Sequence, residues 1–442
     1  MIKSKYNIFF DYEDRKIAFN AMTCGLAEVD DEFFSVYNSL DSISEDDSRQ
    51  IVADMKKGGF ILGDDSDELK ILKYRNNRGK FNDSFFSLVI APTIQCNFAC
   101  PYCYETARPG MMSKEVQDKL VELVEQNASQ KKNIDITWYG GEPLLAKSII
   151  YDLSERFMEI CSRYEVPYTA GIITNGYLFE EEDIEKFNKY RIRYAQITID
   201  GTKEVHNTRR ILKKTPEIGT FDKIIETVRM LNRSESRVVI RINVDKTNIE
   251  NTNRLIEYLA SPEVGIDKTK TNISFGHVKA NTDNSSKVKS NCMSTKEYSV
   301  EVLELQKKLH DCGFCAQAYP HYPGIKANYC GADSICTFVI DHEGYKYKCW
   351  NEVGCIEQSV GNILWETTEY TDDMISRDIK YMTHYPWERE ECRNCEVLPI
   401  CMGGCPFDYV ENHKLSCERW KYSLIDSLKV ICLQRLSVAN NA

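Results

Sequence analysis

The sequence has no apolar run long enough to cross a bilayer, and its opening residues, Met-Ile-Lys-Ser-Lys-Tyr-Asn, lack the apolar core of a secretion signal. Neither membrane insertion nor export is expected, and the chain is placed in the cytosol. A positive charge balance is also missing. The formal net charge is -11 over 442 residues, which argues against a surface for duplex nucleic acid or for anionic lipid. Between Ile17 and Ser48 there is no Lys or Arg at all, against eight acidic residues. Cysteine, by contrast, is plentiful, with 18 residues. In a reducing compartment these cannot be a disulfide framework, so metal ligation becomes the expectation.

The most ordered cysteines are Cys96, Cys100 and Cys103, in Cys96-Asn-Phe-Ala-Cys100-Pro-Tyr-Cys103, directly behind an apolar run over 86–92 that reads as a buried strand. Three thiolates can hold three corners of a four-iron, four-sulfur cube and leave the fourth iron open. A closed zinc site would need a fourth ligand nearby, and the next cysteine is Cys161.

From 85 to 280 the pattern alternates strand and helix. Strands fit 86–90, 134–139, 169–173, 194–199, 238–244 and 272–275, with helices over 114–125, 147–160, 181–189, 221–231 and 249–259. Six such units imply a parallel sheet with right-handed crossovers, an α/β partial barrel of (β/α)6 type. Chemistry in such barrels gathers where the strands end. There the chain carries, after the cysteine loop, Gly140-Gly141-Glu142-Pro143, then Thr174-Asn175-Gly176, then Asp200-Gly201 followed by His206 and Arg210, then Asn243. Singly, each is an ordinary turn or solvated group; their recurrence at consecutive strand ends is what suggests a site.

Residues 1–80 read as a unit of their own, with strands over 6–10 and 16–19, helices around Phe33-Tyr37-Leu40 and Ile51-Met55, and a closing hairpin from Phe60-Ile-Leu to Leu69-Lys-Ile-Leu. This suggests a small winged helix, whose acidic surface would repel DNA; 76–83 reads as the linker behind it. Residues 281–329 are a bridging region with a helix over 295–310, and Cys312-Gly-Phe-Cys315 reads as buried thiols. From 330 the cysteines become ordered again: Cys330, Cys336 and Cys349, then Cys392, Cys395, Cys401 and Cys405, then Cys417. Four-cysteine sites serve zinc and iron-sulfur clusters alike.

The Cys96–Cys103 loop, with Tyr102 before its third cysteine, resembles that of the radical S-adenosylmethionine (SAM) enzymes, and the C-terminal array over 330–442 resembles their SPASM extension. The resemblance implies that SAM binds the open iron, and that one electron cleaves it to methionine and a 5'-deoxyadenosyl radical that abstracts a substrate hydrogen. It also implies SAM contacts from Tyr102, from Gly140, Gly141 and Glu142, whose carbonyls and carboxylate would accept from the SAM amino group, and from Thr174, Asn175, Asp200, Arg210 and Asn243. Two auxiliary [4Fe-4S] clusters are implied, one on Cys330, Cys336, Cys349 and Cys405, the other on Cys392, Cys395, Cys401 and Cys417, making three clusters in all. Cys355 lies close enough to Cys349 in sequence to compete for its place.

Residues 1–80 resemble the peptide-recognition domain of enzymes that modify ribosomally made peptides, in which a leader segment adds as a strand. The three-part layout is similar to that of thioether-forming peptide maturases, which implies a precursor peptide with a leader and an external electron donor such as a flavodoxin or ferredoxin. Carbon-carbon crosslinking would use the same scaffold. Sulfatase maturation shares the barrel and the extension, but in those relatives the cluster loop lies near the N-terminus and an Asp follows the third SPASM cysteine; here 95 residues precede Cys96, and Trp350 follows Cys349. A non-catalytic iron-sulfur protein for peptide binding or electron transfer is the reading from another class.

Overall fold

A computed structural model describes every residue except 45, 46, 48, 315–321, 367, 368 and 440–442, and the side chains of 433–439. Cys315 therefore lies outside the described residues. The chain divides into two compact units, one of Met1–Phe81, Tyr319–Cys330 and Thr383–Ala442, the other of Asn82–Ala318 and Gly331–Met382. The stretch 330–442, read from sequence as one block, is thus shared between the two.

In the first unit, β1 (Ile2–Lys3) meets the later β5 (Ile61–Leu62) in an antiparallel pair, while β2 (Asn7–Tyr12), β3 (Arg15–Asn20) and β4 (Gly25–Val29) form an antiparallel meander in that order. Asp30 caps the helix Asp31–Asn38 by accepting from the Phe33 amide at 2.9 Å, and Gly59, at φ 80°, ends the helix Gln50–Gly58.

The expected closing hairpin does not form. Phe60-Ile-Leu pairs with β1, and Leu69–Leu72 lies in the helix Glu68–Lys80, started by the Asp67 carboxylate, which accepts from the Lys70 amide at 3.0 Å. Leu72 is fully buried at the helical spacing from Leu69. The expected linker over 76–83 falls largely in the last turn of this helix. There Asn76 Nδ2 donates to the Ala327 carbonyl at 2.7 Å and Lys80 Nζ to that of His384 at 2.7 Å, both partners in the same unit. Tyr6, Phe19 and Leu72 share a core with Trp387, Leu398, Trp420 and Leu428, so the N-terminal strands and the C-terminal helix Trp420–Ala439 are parts of one folded body.

The second unit holds the barrel. Six strands run parallel in sequential order: β6 (Phe86–Ile90), β7 (Ile134–Trp138), β8 (Tyr168–Thr174), β9 (Ile192–Thr198), β10 (Arg237–Val244) and β11 (Thr271–His277). They coincide with the six expected strands to within two residues at either end. The helices Lys114–Ala128, Lys147–Arg163, Glu182–Lys189, Phe221–Arg233 and Ile249–Ala260 alternate with them, and the fully buried Leu88, Ile136, Ile172, Ile197 and Ile240 line the core they share. Two further strands, β12 (Thr337–Ile340), parallel to β6, and β13 (Lys346–Tyr347), antiparallel to β12, extend the sheet. Their turn is the expected one: the Asp341 carboxylate accepts from the Glu343 and Tyr345 amides at 3.0 Å, and Gly344 takes φ 85°. Among the described residues no helix is long and apolar enough to cross a membrane.

Candidate active site at the strand ends

The parallel register brings the C-terminal ends of all six strands to one edge, where a cavity of about 400 Å³ opens. That is within the ~300–1,000 Å³ usual for small-molecule sites. Cys96, Cys100 and Cys103 all line it, with Tyr102, Gly140, Gly141, Thr174, Asn175, Arg210 and Asn243. Burial pushes the Cys96 and Cys103 thiols up to about 12, the nearby carboxylates of Glu142 and Glu105 adding to it respectively. Burial also raises Cys100, against the pull of the Arg210 guanidinium, whose Nη1 donates to Cys100 Sγ at 3.4 Å. Three thiols lining one cavity suit a cationic cluster that replaces their protons. Arg210, 9% exposed, has its Nε buried without a partner, a donor still to be met inside the site.

The glycines explain how close the strands' loops can come. Gly140 takes φ 124°, and a Cβ on Gly141 would stand 2.8 Å from the Ile94 carbonyl oxygen, so only glycine lets this turn lie against the segment leading into the cysteine loop. The Glu142 amide, donating to the Gln95 carbonyl at 2.8 Å, fastens the two together.

The Glu142 carboxylate, expected to accept from the SAM amino group, lies behind the cavity lining. Its side chain is fully buried and does not line the cavity. One carboxylate oxygen accepts from the Leu144 amide at 2.9 Å and Thr174 Oγ1 at 2.6 Å, the other from the Asn175 amide at 2.7 Å. With these bonds made, the carboxylate ties the β7 loop to the β8 loop. Asn175, positioned in this way, turns its Nδ2 to Asn97 Oδ1 at 2.8 Å and towards Cys96 Sγ at 3.9 Å.

Asp200 is likewise fully buried and supports the cavity wall from behind. It accepts from the Tyr102 hydroxyl and, at 2.8 Å, from the Asn243 amide. Tyr102 in turn accepts from Arg210 Nη1 at 3.2 Å, and the guanidinium of Arg209 lies 5.1 Å from its ring centre. His206 lies outside the cavity: its Nδ1 accepts from the Asp200 amide at 3.2 Å, and burial, with Arg210 and Arg209 beside it, holds it far below the usual imidazole range.

Several lining residues escaped sequence reasoning. Gln196 and Thr198 sit on the inward face of β9, two residues apart, a signal that strand alternation carries. The cavity is also lined by Tyr104, Glu105, Tyr139, Trp350, Arg241, His277 and Lys279. Tyr104 and Tyr139 share a hydrogen bond at 2.6 Å, Trp350 packs 4.6 Å from Tyr139, and burial raises the Glu105 carboxyl to about 7, a bond with Tyr139 opposing it.

In the first unit, Cys392, Cys395, Cys401 and Cys417 line a second, smaller cavity of about 100 Å³. Met402, Gly403 and Gly404 take φ of 52°, 82° and 76° in succession, and Gly404 bridges to Ser416, which brings Cys417 to the loop. Lys421 Nζ donates to Cys395 Sγ and the Glu418 amide to Cys401 Sγ, each at 3.5 Å, bonds that favour thiolate over thiol. Of the other expected quartet, Cys330 and Cys405 belong to this unit and Cys336 and Cys349 to the barrel unit. Cys355 meets Thr106 Oγ1 at 3.5 Å.

Residues 90–259 match the family model described as the Radical SAM superfamily. The chain is 24% identical over 370 residues to the cysteine-type anaerobic sulfatase-maturating enzyme of Clostridium novyi (strain NT), covering 76% of this chain and 93% of that protein. Among solved structures it is similar to native anSMEcpe with bound AdoMet and Cp18Cys peptide, with a TM-score of 0.61 at 20% identity over 82% of this chain and 100% of that one. It is also similar to Streptococcus suis SuiB bound to precursor peptide SuiA, with a TM-score of 0.52 at 15% identity over 94% and 98%. At these identities the structural likeness is one of fold.

Proposed function

From a chain that carries a radical SAM domain, we propose a maturase that oxidises a ribosomally made precursor peptide, joining a cysteine sulfur to a carbon of a neighbouring residue. The observation that carries this reading is one cavity lined together by the three loop cysteines, the strand-end residues and the side chains of Tyr104, Tyr139, Trp350 and Arg241. When bound, a [4Fe-4S] cluster on Cys96, Cys100 and Cys103 together with SAM supplies a 5'-deoxyadenosyl radical. The chain's own residues do the rest. Arg210 and Tyr102 tie the cysteine loop to Asp200 behind β9, Gly140 and Gly141 bring backbone to the cavity, and Tyr104, Tyr139 and Trp350 give its lining an aromatic surface for the peptide. We extend the proposal to two auxiliary clusters on the eight C-terminal cysteines; the cavity enclosed by Cys392, Cys395, Cys401 and Cys417 supports one of them. The peptide's leader is assigned to residues 1–80, and electrons to a flavodoxin- or ferredoxin-like donor.

Sulfatase maturation is the second reading, favoured by the likeness to the Clostridium novyi enzyme. Against it stands Trp350, whose bulky apolar side chain lines the cavity at the position after Cys349. One experiment separates the readings. Reconstituted, reduced protein is given SAM and either the peptide encoded beside its gene or a cysteine-containing sulfatase peptide. Loss of about two hydrogens per modification from the first, with its cysteine blocked to alkylation, is the expected result. Oxidation of the sulfatase peptide alone would overturn it, and a two-hydrogen loss with the cysteine still free would indicate carbon-carbon bonding. If no 5'-deoxyadenosine forms, the protein is a non-catalytic iron-sulfur protein.

A further inference from the structure

The cavity lining includes a guanidinium that the reading above leaves without a task. Arg241, on the inward face of β10, lines the cavity two residues before Asn243 and donates from Nε to Asn243 Oδ1 at 2.9 Å. Its guanidinium lies across β11 at Gly276, where a Cβ would stand 2.6 Å from Cζ. Glycine there makes room for a flat, charged group pinned at one nitrogen, with the two outer nitrogens left over. Among the described residues no carboxylate pairs with Arg241. Lys279, just past the end of β11, lines the same cavity. The other cavity guanidinium, Arg210, is engaged with Cys100 and Tyr102 on the cysteine side, and the lone lining carboxyl, Glu105, bonds to Tyr139.

A partly buried guanidinium with its Nε fixed on Asn243 and two outer donors matches a carboxylate in shape and charge. We propose that Arg241 receives a peptide carboxylate, so that the residue attacked, or its immediate neighbour, is Asp or Glu. This rests on the peptide-modifying reading of the cavity. Carboxylate could also come from SAM itself, and the two sources are distinguishable.

The probes are Ac-Gly-X-Gly-NH2 peptides with X fully deuterated Asp, Glu, Asn, Gln, Ala or Lys, incubated with reconstituted full-length protein, SAM and dithionite. Total 5'-deoxyadenosine reports whether SAM is cleaved at all, which tests the reading underneath; deuterium within it reports which side chain is presented to the radical. Transfer from Asp and Glu is expected to exceed that from Asn and Gln by about 10–100-fold, the worth of a charge-assisted bidentate pair. In Arg241→Gln the acid-to-amide ratio should fall towards one, and Arg241→Lys should keep part of it. Deuterium transfer without a preference for acids, including no transfer from any peptide while 5'-deoxyadenosine still forms, overturns the proposal. So does a uniform loss across all six peptides in Arg241→Gln that is matched by weaker SAM binding, which would assign the guanidinium to SAM.

Discussion

Replacing Glu142 by Gln separates two roles that the Gly-Gly-Glu turn could play. In the structure the carboxylate accepts three hydrogen bonds, two of them from backbone amides, with no exposure to solvent. A glutamine can keep the oxygen facing Leu144 and Thr174, but it then turns an NH2 towards the Asn175 amide, donor against donor. Losing a charge-assisted bond costs about 1.5–3 kcal/mol, and the buried, unmatched amide adds about 1–3 kcal/mol. Burial has already raised the Glu142 acid, so neutralising it returns part of this, and a net loss of about 3 kcal/mol is expected. For a body of this size that lowers the melting temperature by roughly 5 °C. Scanning calorimetry beside a SAM-binding titration makes the test. A variant that melts within a degree or two of the parent yet no longer binds SAM would refute the structural role and restore the ligand contact expected from sequence.

Changing Cys96, Cys100 and Cys103 together to Ala should abolish 5'-deoxyadenosine formation and lower reconstituted iron by about four atoms per chain from about 12, as measured by iron analysis. Gly404→Ala, whose Cβ would press on the Ser416 carbonyl group, should drive apart the loop and Cys417, so that iron falls by a similar amount while the cluster-loop signal persists; unchanged iron would remove the quartet of Cys392, Cys395, Cys401 and Cys417 as a cluster site. His384, in the first unit, is held down to about 4 by burial, with Arg389 and Lys80 beside it. Because its folded pKa lies below its unfolded value of 6.5, the neutral ring favours folding above pH 6.5, and that stability is lost as pH falls from 6.5 towards 4. With its partial exposure discounted, the loss is about 1–2 kcal/mol, and His384→Phe should flatten this limb in melting temperature measured from pH 4 to 7.5.

The six barrel strands could be read from the sequence because each is an apolar run of buried-strand length set between helical periods. The loop cysteines and the strand-end motifs could be read because their spacing is chemistry's own. Other features could not. Leu69–Leu72 is too short for its period to be decided, and the deciding signal, Asp67 as a cap, competes with the turn suggested by Asp64-Asp65. Strand β12 is four residues long and joins the sheet at its opposite edge, beside β6, a pairing that depends on residues some 250 positions apart. Whether Glu142 faces a ligand or a neighbouring loop depends on three donors, two of them main-chain amides, which side-chain identity does not reveal. Arg241 lay hidden for a different reason: within a strand an inward arginine looks like any other alternating polar residue until the glycine on the next strand is seen to admit it.

The cavity's rigidity follows from where its polar groups are anchored. Asp200 at the end of β9 holds the Tyr102 hydroxyl with one oxygen and the Asn243 amide of β10 with the other; Tyr102 belongs to the cysteine loop after β6. One buried carboxylate thus joins the first, fourth and fifth strand ends, and Glu142 performs the same service for the second and third. Each carboxylate is fully desolvated and would be costly if any donor were withdrawn. The loop of three cysteines is therefore positioned by bonds to the barrel rather than by its own sequence. Asp200→Asn is the sharper case, because an amide cannot accept at both ends. With its oxygen kept on the Asn243 amide, its NH2 would face the Tyr102 hydroxyl as a donor, so the charge-assisted bond that holds the loop to β9 is replaced by a weaker neutral one of reversed direction. The expected result is a protein that still binds iron through its cysteines but cleaves SAM at least tenfold more slowly, with a broadened resonance spectrum of the reduced cluster. A variant with parental rate and spectrum would show that the loop holds its own shape.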